Sequence, residues 1–341
     1  MSTVDAALAQ ARDVAQALIG QAVAVRHHPA RGGNSRIYRV DCGEQAYALK
    51  QYPSRQDDPR DRLTTEVGAL RLMEHYQVGG VPRVVGVDRD RGYALLSWIE
   101  GAEVAKLTDA DIDAAVAFLA SVHALRETPW AAEQPLASEA CLSGEVIERQ
   151  LSERLARLQG VAATEYDLID FLEHSFMPER DGLVAKAKAN MAAAGLDFAA
   201  ELPQEQRSLV PSDFGFHNSL RRLDGSLAFV DFEYFGWDDP VKLVADVLLH
   251  PGWPLPLPQR RRFCQLALQL YGDDSVFAAR LAALLPLFGL RWVLILLNEF
   301  IPEHWRRRVL AGLTKNWNDA KRRQLAHARE FLGTLSHKVE A

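Results

Sequence analysis

Hydrophobic and polar positions along the 341-residue chain change period several times, and each change predicts an element. From Met1 to Gly20 apolar residues recur at helical spacing, which predicts a short amphipathic helix. From Arg36 the period becomes two. Arg36 to Val40 alternates, Asp41-Cys42-Gly43-Glu44 turns, and Gln45 to Gln51 returns as a second strand. Leu63, Val67, Leu70 and Met73 then form one apolar stripe on a helix running from about Pro59 to Tyr76. Val81 to Asp88 and Arg91 to Ile99 read as two more strands around a charged turn. From Thr108 the pattern is helical, opening on Thr108-x-x-Asp111 and continuing through the apolar face of Ile112 to Leu125. Further helices are predicted over Glu145 to Leu158, Glu165 to Phe176, Gly182 to Ala194, Val241 to His250 and most of the remainder. The interruption is a short ribbon between Ser219 and Glu233, folded about Asp224-Gly225.

Composition narrows the class without naming a function. At 48% hydrophobic and 25% charged residues, the chain is that of an ordinary soluble globular protein. A formal net charge of −6 gives no electrostatic footprint for nucleic acid. The acidic excess lies beyond residue 100, which suits a cationic small molecule and equally suits solubility. Cys42, Cys141 and Cys264 are isolated, which argues against a disulfide framework or a structural zinc and fits a reducing, cytoplasmic location. The first residues carry Asp5 and Asp13 and no basic n-region, so they do not read as a signal peptide. The most apolar run, Leu281 to Phe300, contains Pro286, Arg291, Asn298 and Glu299, so a buried helix is expected in place of a membrane span.

The candidate chemistry sits around the ribbon. With a two-residue loop, Leu223 faces Ser226, and counting outward sets Asn218 opposite Asp231. Asp213, in the loop Leu209 to Asn218, would overhang the same end. Three oxygen-bearing side chains there could hold Mg²⁺ and orient a hydroxyl, although a polar loop and a surface hairpin would need the same residue types. On the strand Gln45 to Gln51, Ala46, Ala48 and Lys50 share one face, leaving room for a flat ring with an ammonium beyond it. Glu66 falls inside the apolar stripe of its helix and needs a cationic partner, for which Lys50 is the candidate. Glu74 falls within the same arc, near the helix end.

In this order the motifs resemble the aminoglycoside phosphotransferase and choline kinase group of the protein-kinase-like fold. The resemblance rests on Ala48-x-Lys50, Asp213-x-x-x-x-Asn218, Asp231-Phe232-Glu233 and the later Gly236-Trp237-Asp238-Asp239-Pro240, across roughly residues 25 to 250. It departs from the group in one place, where Pro211-Ser212 replaces the usual His-Gly before the catalytic Asp. The resemblance implies an α+β, two-lobed fold. A small lobe over 1–100 would carry an antiparallel sheet plus helix, with a hinge at about 96–101. A large, mainly helical lobe over 102–341 would carry the catalytic loop 209–218, a metal-binding hairpin 218–233 and an acceptor pocket.

The same resemblance implies an ATP- and Mg²⁺-dependent transfer of the γ-phosphoryl group to a hydroxyl of a small molecule, of sugar, aminoglycoside or amino-alcohol type. Asp213 is then the base, Asn218 and Asp231 the metal ligands, and Lys50, paired with Glu66, the phosphate clamp. Ser35, at the end of the glycine-bearing turn 31–35, and Ser97 and Ile99 in the hinge are the remaining nucleotide contacts. Trp237, Trp253, Trp292 and Trp317 are candidate stacking surfaces for the acceptor, and Glu233, Asp238 and Glu299 candidate partners for its amines. No nucleic-acid or membrane partner is implied, and a monomer or homodimer is expected. A nucleotide-binding pseudokinase and a nucleotidyl transferase are the alternatives on the same fold.

Overall fold

The computed structural model describes residues 3–28, 35–55, 58–162, 164–310 and 316–340. The chain divides into two compact units. One comprises 1–106, 121–138 and 211–236; the other comprises 107–120, 139–210 and 237–341. The first unit therefore takes in the loop and ribbon after residue 210 together with residues 1–106.

Helix α1 (Thr3–Ile19) is followed by β1 (Ala24–His28), β2 (Arg36–Cys42), β3 (Gln45–Gln51), α2 (Arg62–His75), β4 (Val84–Asp88) and β5 (Tyr93–Ser97). The strands make one antiparallel sheet in the order β1-β2-β3-β5-β4. Strand β1 escapes the sequence pattern because only Val25 of its five residues is buried. Ala11, Val14 and Ala15 of α1 pack on Val25, Tyr38, Val40, Leu49, Tyr93 and Leu95, which form the apolar face of the sheet. Period-two geometry then sends Lys50 to the opposite face, beside Leu49 in sequence but away from α1.

Helix α2 starts at Arg62 because Asp61 caps it, its carboxylate accepting the Thr64 N–H at 3.1 Å. Its inward face carries the predicted Leu63, Val67, Leu70 and Met73, and Glu66 is buried among them. Glu74 is exposed, so only one of the two candidate carboxylates points inward.

The ribbon differs from expectation by one residue. Ser219 pairs with Phe229, Leu220 with Ala228 and Arg221 with Leu227, so the register leads from Asn218 to Val230 and not to Asp231. The Val230 N–H accordingly donates to the Asn218 carbonyl at 2.9 Å. The cause is a three-residue loop, Leu223 to Gly225, closed by hydrogen bonds between Arg222 and both Ser226 and Gly225. Gly225 takes a left-handed φ of +85°, the conformation that ends a turn of this length.

The second unit is mainly helical. Thr108 and Asp111 cap its first helix reciprocally, with the Thr108 N–H on Asp111 Oδ2 at 2.8 Å. The apolar run predicted to be buried forms the helix Phe277–Leu296 and packs against Gly144–Val161, Met177–Ala193, Pro240–Leu249 and Trp317–Gly333. Among the described residues it is the one helix long and apolar enough to cross a membrane, yet 67% of that stretch is buried. Its Arg291 holds Asp246 at 2.6 Å, and its Arg280 holds Asp239 at 3.0 Å.

Back in the first unit, Gly236 closes the segment that carries Asp231. A Cβ there would lie 2.4 Å from the Pro135 carbonyl oxygen and 2.5 Å from the Ala137 nitrogen. Both are backbone atoms and cannot swing aside, so Gly236→Ala is expected to cost about 1–3 kcal/mol, the usual range for overpacking. Urea unfolding measures it, and an unchanged midpoint would show that the approach is not tight.

Candidate active site

Lys50 is the centre of the site. Its Nζ lies 2.6 Å from Glu66 Oε2, 2.6 Å from Asp231 Oδ1 and 3.2 Å from Glu233 Oε2. Lys50, Glu66 and Glu233 are each less than 5% exposed, whereas the Asp231 side chain keeps 32% of its surface open. The second Glu66 oxygen accepts the backbone N–H of Phe232 at 3.2 Å, and the Tyr52 hydroxyl donates to Oε2 at 2.7 Å. One carboxylate on α2 thus ties β3 to the segment after the ribbon. Burial disfavours the Lys50 charge, but Asp231, Glu66 and Glu233 overcome it and hold the ammonium pKa well above its usual range. For Asp231 the balance goes the other way. Burial first, then the charges of Glu233 and Glu66, raise its carboxyl pKa against the pull of Lys50. Glu233 stays below the ordinary range because Lys50 and Arg62 outweigh its burial.

A second layer of charge lies one helical turn away. Arg62, four residues before Glu66, donates to both Glu233 and Asp58, and all three side chains are almost fully buried. Arg60 also grips Asp58, at 2.8 and 2.7 Å. Both guanidinium groups lie over the Tyr234 ring, 5.2 and 5.0 Å from its centroid. Burial raises the Asp58 pKa, but Arg60 and Arg62 more than reverse that and hold it far below the usual carboxylate range. Ser35 donates from Oγ to Glu233 Oε2 at 3.0 Å, so it stands beside the lysine cluster. The turn preceding it, 31–34, lies outside the described residues.

Asp213, His217 and Asn218 form a single tight loop. The Asn218 side-chain amide donates to the Asp213 carbonyl at 2.9 Å, which turns its oxygen away from that contact. His217 Nε2 lies 3.1 Å from Asp213 Oδ1. Two non-glycine residues in this region adopt left-handed φ, Ser212 at +64° just before the loop and Asp231 at +71° just after the ribbon. Each such conformation costs on the order of 1–3 kcal/mol and persists only where neighbours impose it. The carboxylate oxygens of Glu66, Asp231 and Glu233 lie within 4.8 Å of one another. Lys50 Nζ already pairs with all three, so the partly open Asp231 is the hard oxygen donor of this set that a divalent cation such as Mg²⁺ can reach.

The structure thus brings Lys50, Glu66, Asp231 and Ser35 into one cluster and folds Asp213 against Asn218. Ser97 lies at the end of β5, its N–H donating to the Arg83 carbonyl at 2.8 Å and its hydroxyl accepting the Arg83 N–H at 2.9 Å. Ile99 follows just beyond the strand. Sequence reasoning passed over Arg62, Asp58 and Tyr52, and it misplaced Glu233. That residue is not available to an acceptor amine, because Lys50, Arg62 and Ser35 occupy it. Asp238 and Glu299 are likewise paired, with Lys242 at 3.1 Å and Arg308 at 2.7 Å. The spacing Arg62–Glu66 on one helix face was the available signal for the missed arginine. Of the tryptophans, Trp237 is buried and Trp317 donates its indole N–H to the Glu299 carbonyl at 2.6 Å, so both have packing roles.

A family model described as the phosphotransferase enzyme family matches residues 26–277. No curated protein sequence matches the chain. Solved structures match it over nearly their whole length. The choline kinase LicA from Streptococcus pneumoniae is 15% identical with a TM-score of 0.58, covering 94% of this chain and 98% of its own. Spectinomycin phosphotransferase APH(9)-Ia, solved with ADP and spectinomycin, is 10% identical with a TM-score of 0.61, covering 95% and 98%. Macrolide 2'-phosphotransferase MphH from Brachybacterium faecium is 14% identical with a TM-score of 0.57, covering 91% and 99%. At these identities the likeness establishes the fold, which is the two-lobed protein-kinase-like one, with an antiparallel-sheet lobe and a helical lobe.

The charge layer gives a stability test. Arg62→Ala leaves Asp58 and Glu233 buried with fewer partners, and should cost about 3–5 kcal/mol. Arg55→Ala removes an exposed pair with Asp61 and should cost under about 1 kcal/mol. The depressed Asp58 pKa contributes stability that is complete above about pH 4 and is lost as pH falls below it. Wild type should therefore lose more stability than Arg62→Ala between about pH 4 and 2. Equal costs for the two substitutions, with parallel acid profiles, would remove Arg62 from the framework.

Proposed function

The chain belongs to the phosphotransferase enzyme family, and from that premise we propose that it transfers the γ-phosphoryl group of ATP to a hydroxyl of a small molecule. The observation that carries this reading is the pairing of one buried lysine with both Glu66 and Asp231 at 2.6 Å. A lysine so held has a fixed direction and a secured charge, as a clamp on phosphate oxygens requires. ATP would supply the transferable phosphoryl group, and Mg²⁺, which the Asp231 carboxylate and the Asn218 side-chain oxygen would hold, would neutralise charge on its phosphates.

This chain's own residues then divide the work. Lys50 turns from Asp231 toward the phosphates while Glu66, fixed by Tyr52 and the Phe232 N–H, keeps its stem in place. Asp231, whose side chain is partly open, would be free to hold the cation once Lys50 has turned away from it. Ser35, now hydrogen-bonded to Glu233, borders the phosphate position. The stretch from Ser97, anchored by Arg83, to Ile99 offers backbone groups to the adenine edge. Asp213 accepts the proton of the acceptor hydroxyl. Catalysis in this scheme comes from positioning and charge neutralisation, with no covalent intermediate on the protein. Acceptors of sugar, aminoglycoside or amino-alcohol type are the class the scheme accommodates.

ADP release with a panel of small hydroxyl compounds tests the reading. Asp213→Ala should reduce turnover at least about 100-fold while leaving nucleotide affinity within a few-fold, the signature of a lost general base. Asp231→Asn should abolish the Mg²⁺-dependent part of nucleotide binding, read by calorimetry. Wild-type turnover in the first variant, Mg²⁺-dependent binding retained in the second, or release of pyrophosphate in place of ADP would each contradict it.

A further inference from the structure

We infer that His217 is a positioning residue for Asp213, holding its carboxylate in one orientation from the far end of the same loop. The inference rests on Asp213 being the proton acceptor proposed above, and it adds a residue that the pattern of the sequence did not single out. His217 Nε2 lies 3.1 Å from Asp213 Oδ1, and the tautomer protonated at Nε2 donates to that oxygen.

Three features show that the contact is built into the loop. First, the backbone around it is pinned. Asn218 donates its side-chain amide to the Asp213 carbonyl at 2.9 Å and its own N–H to the Gly215 carbonyl at 3.1 Å, while Phe214 and Phe216 are buried. Two consecutive residues therefore grip the same aspartate, the Asn218 side chain at its carbonyl and the His217 side chain at its carboxylate. Second, Gly215 makes room for the ring. A Cβ at that position would lie 2.8 Å from both Cε1 and Nδ1 of His217. Third, the chain holds an internal comparison. His174 and Asp170 have the same four-residue spacing, but they lie 3.4 Å apart with both side chains about 70% exposed. The side chains of His217 and Asp213 are 21% and 39% exposed, so this pair is more shielded than the other.

The consequence is rotational. A carboxylate turns freely about its terminal torsion, and a base must face the hydroxyl with one oxygen at the right moment. A hydrogen bond to Oδ1 fixes that torsion in advance, so the orientation need not be found anew in each turnover.

Steady-state ADP release, with water and with hydroxyl acceptors, separates this role from a structural one. His217→Ala should lower kcat by about 10- to 100-fold, the scale expected when a reacting group is misaligned, while the KM for ATP stays within about twofold. His217→Gln can still place an amide N–H near Oδ1 and should recover most of the loss. Gly215→Ala, which displaces the ring without touching its chemistry, should behave like His217→Ala. Wild-type kcat in His217→Ala alongside an inactive Asp213→Ala would overturn this inference alone. A His217→Gln variant as slow as His217→Ala would overturn it too. Full turnover in Asp213→Ala, or none in wild type, would remove the proposed function and this inference with it.

Discussion

A buried ammonium has to be matched by charge, and in this protein that requirement fixes where three distant segments lie. Lys50 on β3 is matched by Glu66, 16 residues away on α2, and by Asp231, 181 residues away after the ribbon. Glu233 completes the set at 3.2 Å. No member can be withdrawn cheaply, because each removal leaves another charge buried without compensation. The cluster is therefore weak as a source of net stability and strong as a constraint on geometry. Chain segments with no other reason to meet are held to within a hydrogen-bond length.

Helix α2 transmits that constraint twice. Glu66 takes the Phe232 N–H, and Arg62, one turn earlier, takes the Glu233 carboxylate. Two side chains on one helix face thus grip two consecutive residues, and Asp58, Arg60 and Tyr234 back the grip. This over-determination explains how Asp231 can be held at a left-handed φ of +71°. The strain is local, and the surrounding ion pairs supply what sustains it. Ser212, at +64°, bears the same strain on the other side of the loop. There Pro211-Ser212 leads into Asp213, whose carboxylate His217 Nε2 approaches to 3.1 Å.

How much of this was legible in the sequence depended on whether a signal was local and periodic. Leu49 and Lys50 point to opposite faces because strands alternate, and Glu66 turns inward because helices repeat every 3.6 residues. The pairing of Lys50 with Glu66 followed from those two facts and a rule about buried charge. The ribbon register did not follow, because Asp-Gly fits loops of two residues and of three, with the glycine at a left-handed φ in either case. Strand β1 was missed because a largely exposed edge strand has no apolar alternation to show. Arg62, Asp58 and Glu233 look like surface charges until the fold brings them together, and neither period nor composition marks that meeting. His217 is similar. Its role appears only when Gly215 is seen to leave space for the ring.

The most direct measurement is a crystal structure with Mg²⁺ and a non-hydrolysable ATP analogue. The account predicts that Lys50 Nζ keeps its contact with Glu66, releases Asp231 and moves onto a phosphate oxygen, while Asp231 and the Asn218 side-chain oxygen take the metal. A complex in which Lys50 remains on Asp231, with the nucleotide bound away from both, would contradict it.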